Sequence, residues 1–283
     1  MNKLFTAVQI TAGATLLWLS GSGALMATEP CGDLDECKVL IEINATDGDI
    51  GFHWLIDAED LVKTKLKGPD GEKIFRNRAL GPLEEQTLTE TFGESAEPFC
   101  KEALKEEEDD VVVTLEEFID RWDAGIYTAI GRDAEGEKQK GETHLSHYIP
   151  AAPADVAYIA DTISWTPGTD LGECATEAEL TELVGDGVLP IHPMLVPVET
   201  WEVVLELEDG SDRKFVAQLP VGQTMITVSP EFLSSLPANT LAKTEVGAMG
   251  GNLAIGDNDN ATFTEITDIC LNEAGDGCEE EED

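Results

Sequence analysis

Residues 200 to 220, "TWEVVLELEDGSDRKFVAQLP", decide the fold class. Thr200 to Leu207 and Lys214 to Leu219 place apolar side chains at every second position, with the turn pair Asp209-Gly210 between them. Period two describes a strand with one face in a core and the other in water, where a helix would need spacings of three and four. The pattern recurs at Tyr158 to Trp165, Gln223 to Val228, Lys243 to Met249 and Ala261 to Ile266. Earlier in the chain it recurs at Lys38 to Asn44, Gly51 to Leu55, Leu61 to Leu66, Lys73 to Arg76, Thr87 to Phe92, Gly125 to Gly131 and Thr143 to Ile149. Helix signals are few. Thr114-Leu115-Glu116-Glu117 is a capping box opening Leu115 to Trp122, and Thr176 to Glu179 opens a shorter one. The expectation is an all-β chain with one or two short helices in connections.

"TISWTPG" (162–168), "WEVVLELEDG" (201–210), "TMITVSPEFLSSLPANTLAKTEVGAMG" (224–250) and "NATFTE" (260–265) resemble, in order and spacing, the strands of a fibronectin type III domain. Trp165 takes the place of that family's core tryptophan. Leu236 and Val246-Gly247-Ala248 match its corner motif, with Ala242 where a tyrosine is usual. The resemblance implies a β-sandwich over 151–270 with an insertion at 169–197, and a role as spacer, adhesion surface or binding module. Residues 28–150 are read as a second, immunoglobulin-like sandwich in tandem with it, ending in a hairpin that turns at Asp133 to Gly136. "IPAAPAD" (149–155) is the expected stiff linker. The order "DGDIGF … ESAEP … GIYTAIG … IPAAP … ISW" resembles exported bacterial proteins of uncharacterised role, a likeness that implies no activity.

Residues 1–27 carry Lys3 and then an uncharged stretch ending in small residues, the layout of a signal peptide cleaved after Ala24 or Ala27. Export suits the six cysteines, whose even number reads as disulfides. The short spacings favour Cys31 with Cys37 and Cys270 with Cys278, leaving Cys100 to join Cys174; sequence alone leaves other pairings open. Acidic residues outnumber basic ones 58 to 17, and a net charge of −41 repels nucleic acid and anionic lipid. Residues 271–283 read as an acidic tail, and no segment after the leader is apolar enough to enter a membrane.

Candidate sites are sparse. "NATDGDIGFHW" (44–54) sets Asn44, Asp47 and Asp49 close together, but the spacing fails the EF-hand pattern because Gly51 and Ala58 stand where oxygen ligands belong. It reads as a turn with Asp47-Gly48 at its tip, or as an irregular calcium site made from those three side chains. "GDNDNAT" (256–262) offers Asp257 and Asp259 in the same two senses. His144 and His147 fall on opposite faces of a strand, which disfavours a shared metal. "GESAE" (93–97) has Glu97 where a nucleophile elbow requires glycine. The resulting expectation is a non-enzymatic exported protein, secreted, periplasmic or on the cell surface, that serves in adhesion, scaffolding or ligand binding. Its expected partner is an extracellular protein or glycan, with no cofactor unless calcium. The alternatives are a calcium-dependent surface protein and a hydrolase or carbohydrate-active accessory protein.

Overall fold

The computed structural model describes residues 31–105, 107–211, 213–256, 259–274 and 278. The expected leader, Asp257 and most of the acidic tail lie outside the described residues. Six strands occupy the first half: β1 (Glu36–Asn44), β2 (Asp49–Lys67), β3 (Lys73–Arg78), β4 (Leu88–Glu94), β5 (Gly125–Asp133) and β6 (Lys138–Leu145). Seven follow: β7 (Ala154–Ile159), β8 (Thr162–Thr166), β9 (Val198–Leu207), β10 (Lys214–Pro220), β11 (Met225–Thr227), β12 (Thr240–Gly250) and β13 (Asn260–Leu271). The chain is mostly β, and its helices are short.

In the second half, β7, β8 and β11 form one sheet that faces β10-β9-β12-β13. Between them lie Ile163, Trp165, Trp201, Val203, Leu205, Val228 and Val246, with the rings of Trp165 and Trp201 edge to face at 5.9 Å. Burying each large apolar side chain contributes roughly 1.5–3 kcal/mol. The alternation in residues 200–207 thus lands Trp201, Val203, Leu205 and Leu207 in the core and turns Glu202 and Glu206 outward. The two sheets thus pack face to face over an apolar core. The single strand expected over Tyr158 to Trp165 is instead a hairpin, because Ala160 and Asp161 both take positive φ (48° and 60°) and reverse the chain there.

Two separate sandwiches in series are not what forms. β13 pairs in parallel with β1, Glu42 opposite Ala261 and Asn44 opposite Phe263, so one ten-stranded sheet runs through both halves in the order β10-β9-β12-β13-β1-β2-β5-β6, with β3 and β4 also paired to β2. Asn260, fully buried, secures this seam: its Oδ1 accepts from Ile41 N (2.9 Å), and its Nδ2 donates to Ser146 O (2.9 Å) and Tyr148 O (3.1 Å). Thr262 and Thr264 donate to Pro150 O and Pro153 O, so the expected linker lies buried along β13. The same bonds pull the chain away after Leu145, which is why β6 runs Lys138–Leu145 and not Thr143 to Ile149.

β2 is one 19-residue strand where two had been expected. Its ladders with β4 and β5 shift register between Asp57 and Lys63, and Asp60 takes φ 59°, so the strand bends there without ending. Before the bend it lies between β1 and β4; after it, between β3 and β5. Asp33 N donates to Lys140 O (3.0 Å), curling the sheet back from β6 toward the start of β1. Ile41, Phe52, Ile56, Leu66, Tyr127 and Leu145 fill the interior. Helix α1 (Leu115–Arg121), held by the expected capping box at Thr114 and Glu117, caps that core, and Trp122 just after it stacks on Phe52 at 3.9 Å.

The insertion at 169–197 contributes Leu171, Leu180 and Leu189 to the same first-half core, with Leu180 on helix α2 (Glu177–Gly185). Disulfides join Cys31 to Cys37, Cys100 to Cys174 and Cys270 to Cys278. The second of these fastens the insertion to the segment after β4. No helix among the described residues is long and apolar enough to cross a membrane.

Candidate cation site

The turn at 44–49 uses its amide and one of its acids internally. Asn44 Oδ1 accepts from Thr46 N and Asp47 N, and Asn44 Nδ2 donates to Asp47 Oδ2 at 2.8 Å. Gly48 takes φ 74°, the positive-φ step of a turn. Asp49 closes the turn, its carboxylate near Asp47 and the Asn44 backbone. It begins β2, and along the outward face of that strand Asp49, Gly51 and His53 follow one another while Ile50 and Phe52 point into the core. Glu42 of β1 lies opposite Gly51 and shares this face.

The fourth member comes from a distant part of the sequence. After β4 the chain runs back along β2, with Ser95 N donating to Phe52 O, Ile50 N to Pro98 O and Cys100 N to Gly48 O. Ser95 Oγ accepts from Phe52 N and donates to Ala96 O, so the hydroxyl of "GESAE" anchors the backbone. Between those anchors Glu97 is laid over Gly51. A Cβ on Gly51 would come within 2.9 Å of His53 Nε2 and 3.0 Å of Glu97 Oε1, so any larger residue would push the ends of these two side chains aside. One ligand atom from each of Glu42, His53 and Glu97 lies within 4.8 Å of the other two.

His53 is only 7% exposed, with the Phe92 ring 6.2 Å from its own. Its Nε2 lies 3.3 Å from Glu97 Oε1, an ion-pair distance, and the nitrogen has no other partner. Burial alone would lower the imidazole pKa, but Glu97, Glu42 and Glu94 overcome it and hold the ring above its ordinary value. Burial pushes the Glu42 carboxyl up; His53 opposes this, and Glu97, Glu245 and Glu202 add to it. Burial, then Glu97 and Asp47, pushes Asp49 up to about 7. The cluster therefore holds more negative charge than its surroundings stabilise, a deficit that protons or a cation would relieve.

The other expected site residues lie apart. Asp259 faces Lys38 at 4.0 Å, and burial raises its carboxyl while Lys38 opposes that. His144 sits on β6, whereas His147, beyond its end, places Nε2 2.8 Å from Trp122 O. Neither joins a cluster of three or more metal-ligating groups among the described residues. The sequence reading missed Glu42, His53 and Glu97, although Asp49, Gly51 and His53 on alternate positions of one strand, with Glu42 just before the turn, are visible in it. Glu97 carries no such signal, because the irregular segment after β4 brings it there through backbone bonds to β2.

No family model matches the chain, and no curated protein matches it. Among solved structures, a cytokine receptor complex is similar at 13% identity over 82% of this chain and 96% of that chain, with a TM-score of 0.25. The FN1-FN3 domains of chicken CNTN1 are similar at 11% identity over 84% of this chain and 66% of that chain, also with a TM-score of 0.25. Likenesses this low carry no argument.

Proposed function

We propose that the chain is a non-enzymatic exported binding protein in which Glu42, His53 and Glu97 take a divalent cation beside the seam that joins its two halves. The observation that carries this reading is the buried imidazole nitrogen of His53, paired with Glu97 alone and set between two carboxylates over a glycine floor. One nitrogen and two carboxylate oxygens suit a zinc-class ion better than calcium, which prefers oxygen cages. In this reading the second half is a fibronectin type III-like domain over 151–270, and the partner is an extracellular protein or glycan.

Melting the protein with zinc, with calcium and with chelator tests the assignment. Zinc is expected to raise the midpoint of the wild type and to leave His53→Ala unmoved. An equal zinc response in His53→Ala would remove the site from these residues. A calcium response that survives in His53→Ala and disappears in Asp49→Asn would favour the calcium-dependent reading instead.

A second reading, hydrolysis, draws on Asp49 being pushed up to about 7 and on Glu97 lining a cavity of about 410 Å³ with Phe99, Phe118 and Trp122. It requires turnover of a glycoside or ester by the purified protein that Glu97→Gln abolishes; absence of turnover across such a panel removes it.

A further inference from the structure

Beyond its bend, β2 turns Lys63, Lys65 and Lys67 to one face, and the neighbouring strands add charge of the same sign. Lys65 lies opposite Arg76 of β3, and Lys67 opposite Lys73. On the other side Lys63 lies opposite Arg132 of β5, which in turn lies opposite Lys138 of β6. These residues, out of only 17 Lys and Arg in a chain of net charge −41, line a single cavity of about 450 Å³.

Like charges at cross-strand positions destabilise a sheet. With 58 acidic residues in the chain, each cation could readily have been given a carboxylate. Yet among the described residues Lys63, Lys65, Lys67, Lys73, Arg76 and Lys138 form no ion pair, whereas Arg78, Lys101, Lys140 and Lys243 all do. Desolvation lowers the Lys65 pKa, and Lys67, Lys73, Arg76 and Lys138 lower it further, the mark of a site where positive charge is crowded.

We propose that this face binds a compact ligand bearing several phosphate or sulfate groups, held between Lys65, Arg76 and Lys138. Three features select that chemistry. The cations repeat about 4.8 Å apart across strands and about 7 Å apart along one, which suits adjacent oxyanion groups of one molecule. Arg76 supplies a fork for two oxygens of one group, and the lysines supply point charges. The cavity is of small-ligand size. A long polyanion would extend past the patch onto the acidic remainder of the surface, whereas a compact one stays within about a Debye length of 8 Å of the cations.

Calorimetric titration of the full mature chain with inorganic tripolyphosphate and, separately, with a sulfated tetrasaccharide tests this. Saturable one-to-one binding of either probe is expected, weaker in high salt, and the probe that binds identifies the source of the oxyanions. The double variant Lys65→Ala/Arg76→Ala should bind about tenfold or more weakly, the loss of at least one charge-assisted contact. It should also melt no lower than wild type, because its removal relieves repulsion. His53→Ala should bind the anion normally, which separates this site from the cation site. The proposal is overturned if neither probe saturates, or if the double variant binds as tightly as wild type. It is equally overturned if the face mediates low-salt self-association that the double variant abolishes without any anion binding, because the occupant is then the acidic surface of a second copy.

Discussion

The two ends of β2 carry opposite charge and are held by different means. His53 stands in a cluster with Glu42 and Glu97 whose negative charge also acts on Asp49, while Lys63, Lys65 and Lys67 stand in a cationic one. The acidic end is braced from outside the sheet: Glu173 N donates to Ala45 O, Cys100 N to Gly48 O, and the Cys100–Cys174 disulfide closes a separation of 74 residues beside them. The cationic end rests on ladder bonds to β3 and β5. The cluster around the buried His53 has its backbone fixed from outside the sheet, whereas the half-buried Lys63, Lys65 and Lys67 crowd together on a face held by the ladder alone. The bend at Asp57–Lys63 keeps the two fields apart on one strand.

The largest expected effect breaks the brace. Replacing Cys100 and Cys174 by serine should cost about 4 kcal/mol in the chain-entropy account of a loop this long, read from denaturant unfolding. A loss below about 1 kcal/mol would mean that the acidic end is held by its sheet contacts alone.

Next comes the glycine floor. Gly51→Ala puts a methyl group against His53 Nε2 and Glu97, with an expected cost of about 1–3 kcal/mol and loss of the zinc-induced rise in melting midpoint. A variant that keeps the zinc response would show that Glu97 need not lie where it does.

The third is a pH effect. Asp49 is raised to about 7 against 3.8 in the open chain, so the folded protein keeps a proton that the unfolded chain has lost. In chelator, stability from this group is present below about 4 and is lost as pH rises toward 7. Asp49→Asn should flatten that part of the profile relative to wild type; an unchanged slope would mean the carboxylate is ordinary. Smallest is the cationic end, where Lys65→Ala/Arg76→Ala should stabilise the free protein by about 0.5 kcal/mol through relief of cross-strand repulsion.

Much of the fold was legible because it is local. Alternation in residues 200–219 reports a half-buried hairpin, and Thr114 with Glu117 reports a helix start. What was hidden is non-local. Nothing in Asn260 announces that its amide will bond Ile41 and Ser146, so the seam fusing the two halves could not be read. Asp57-Ala58-Glu59-Asp60 has the composition of a turn, which split β2 into two expected strands; burial of Ala58 and the ladders on both sides carry the chain through. The candidate cation site was half visible in "NATDGDIGFHW", where Asp49, Gly51 and His53 alternate along one strand face, while Glu97 comes from a segment distant in sequence.

The measurement closest to the central claim is an imidazole NMR titration of His53 with zinc in the full protein. The account requires the His53 ring signals to shift with one-to-one stoichiometry, with a proton released as zinc displaces it, and Glu97→Gln to weaken the binding. Ring signals that stay fixed while zinc binds, or that move equally in Glu97→Gln, would contradict it.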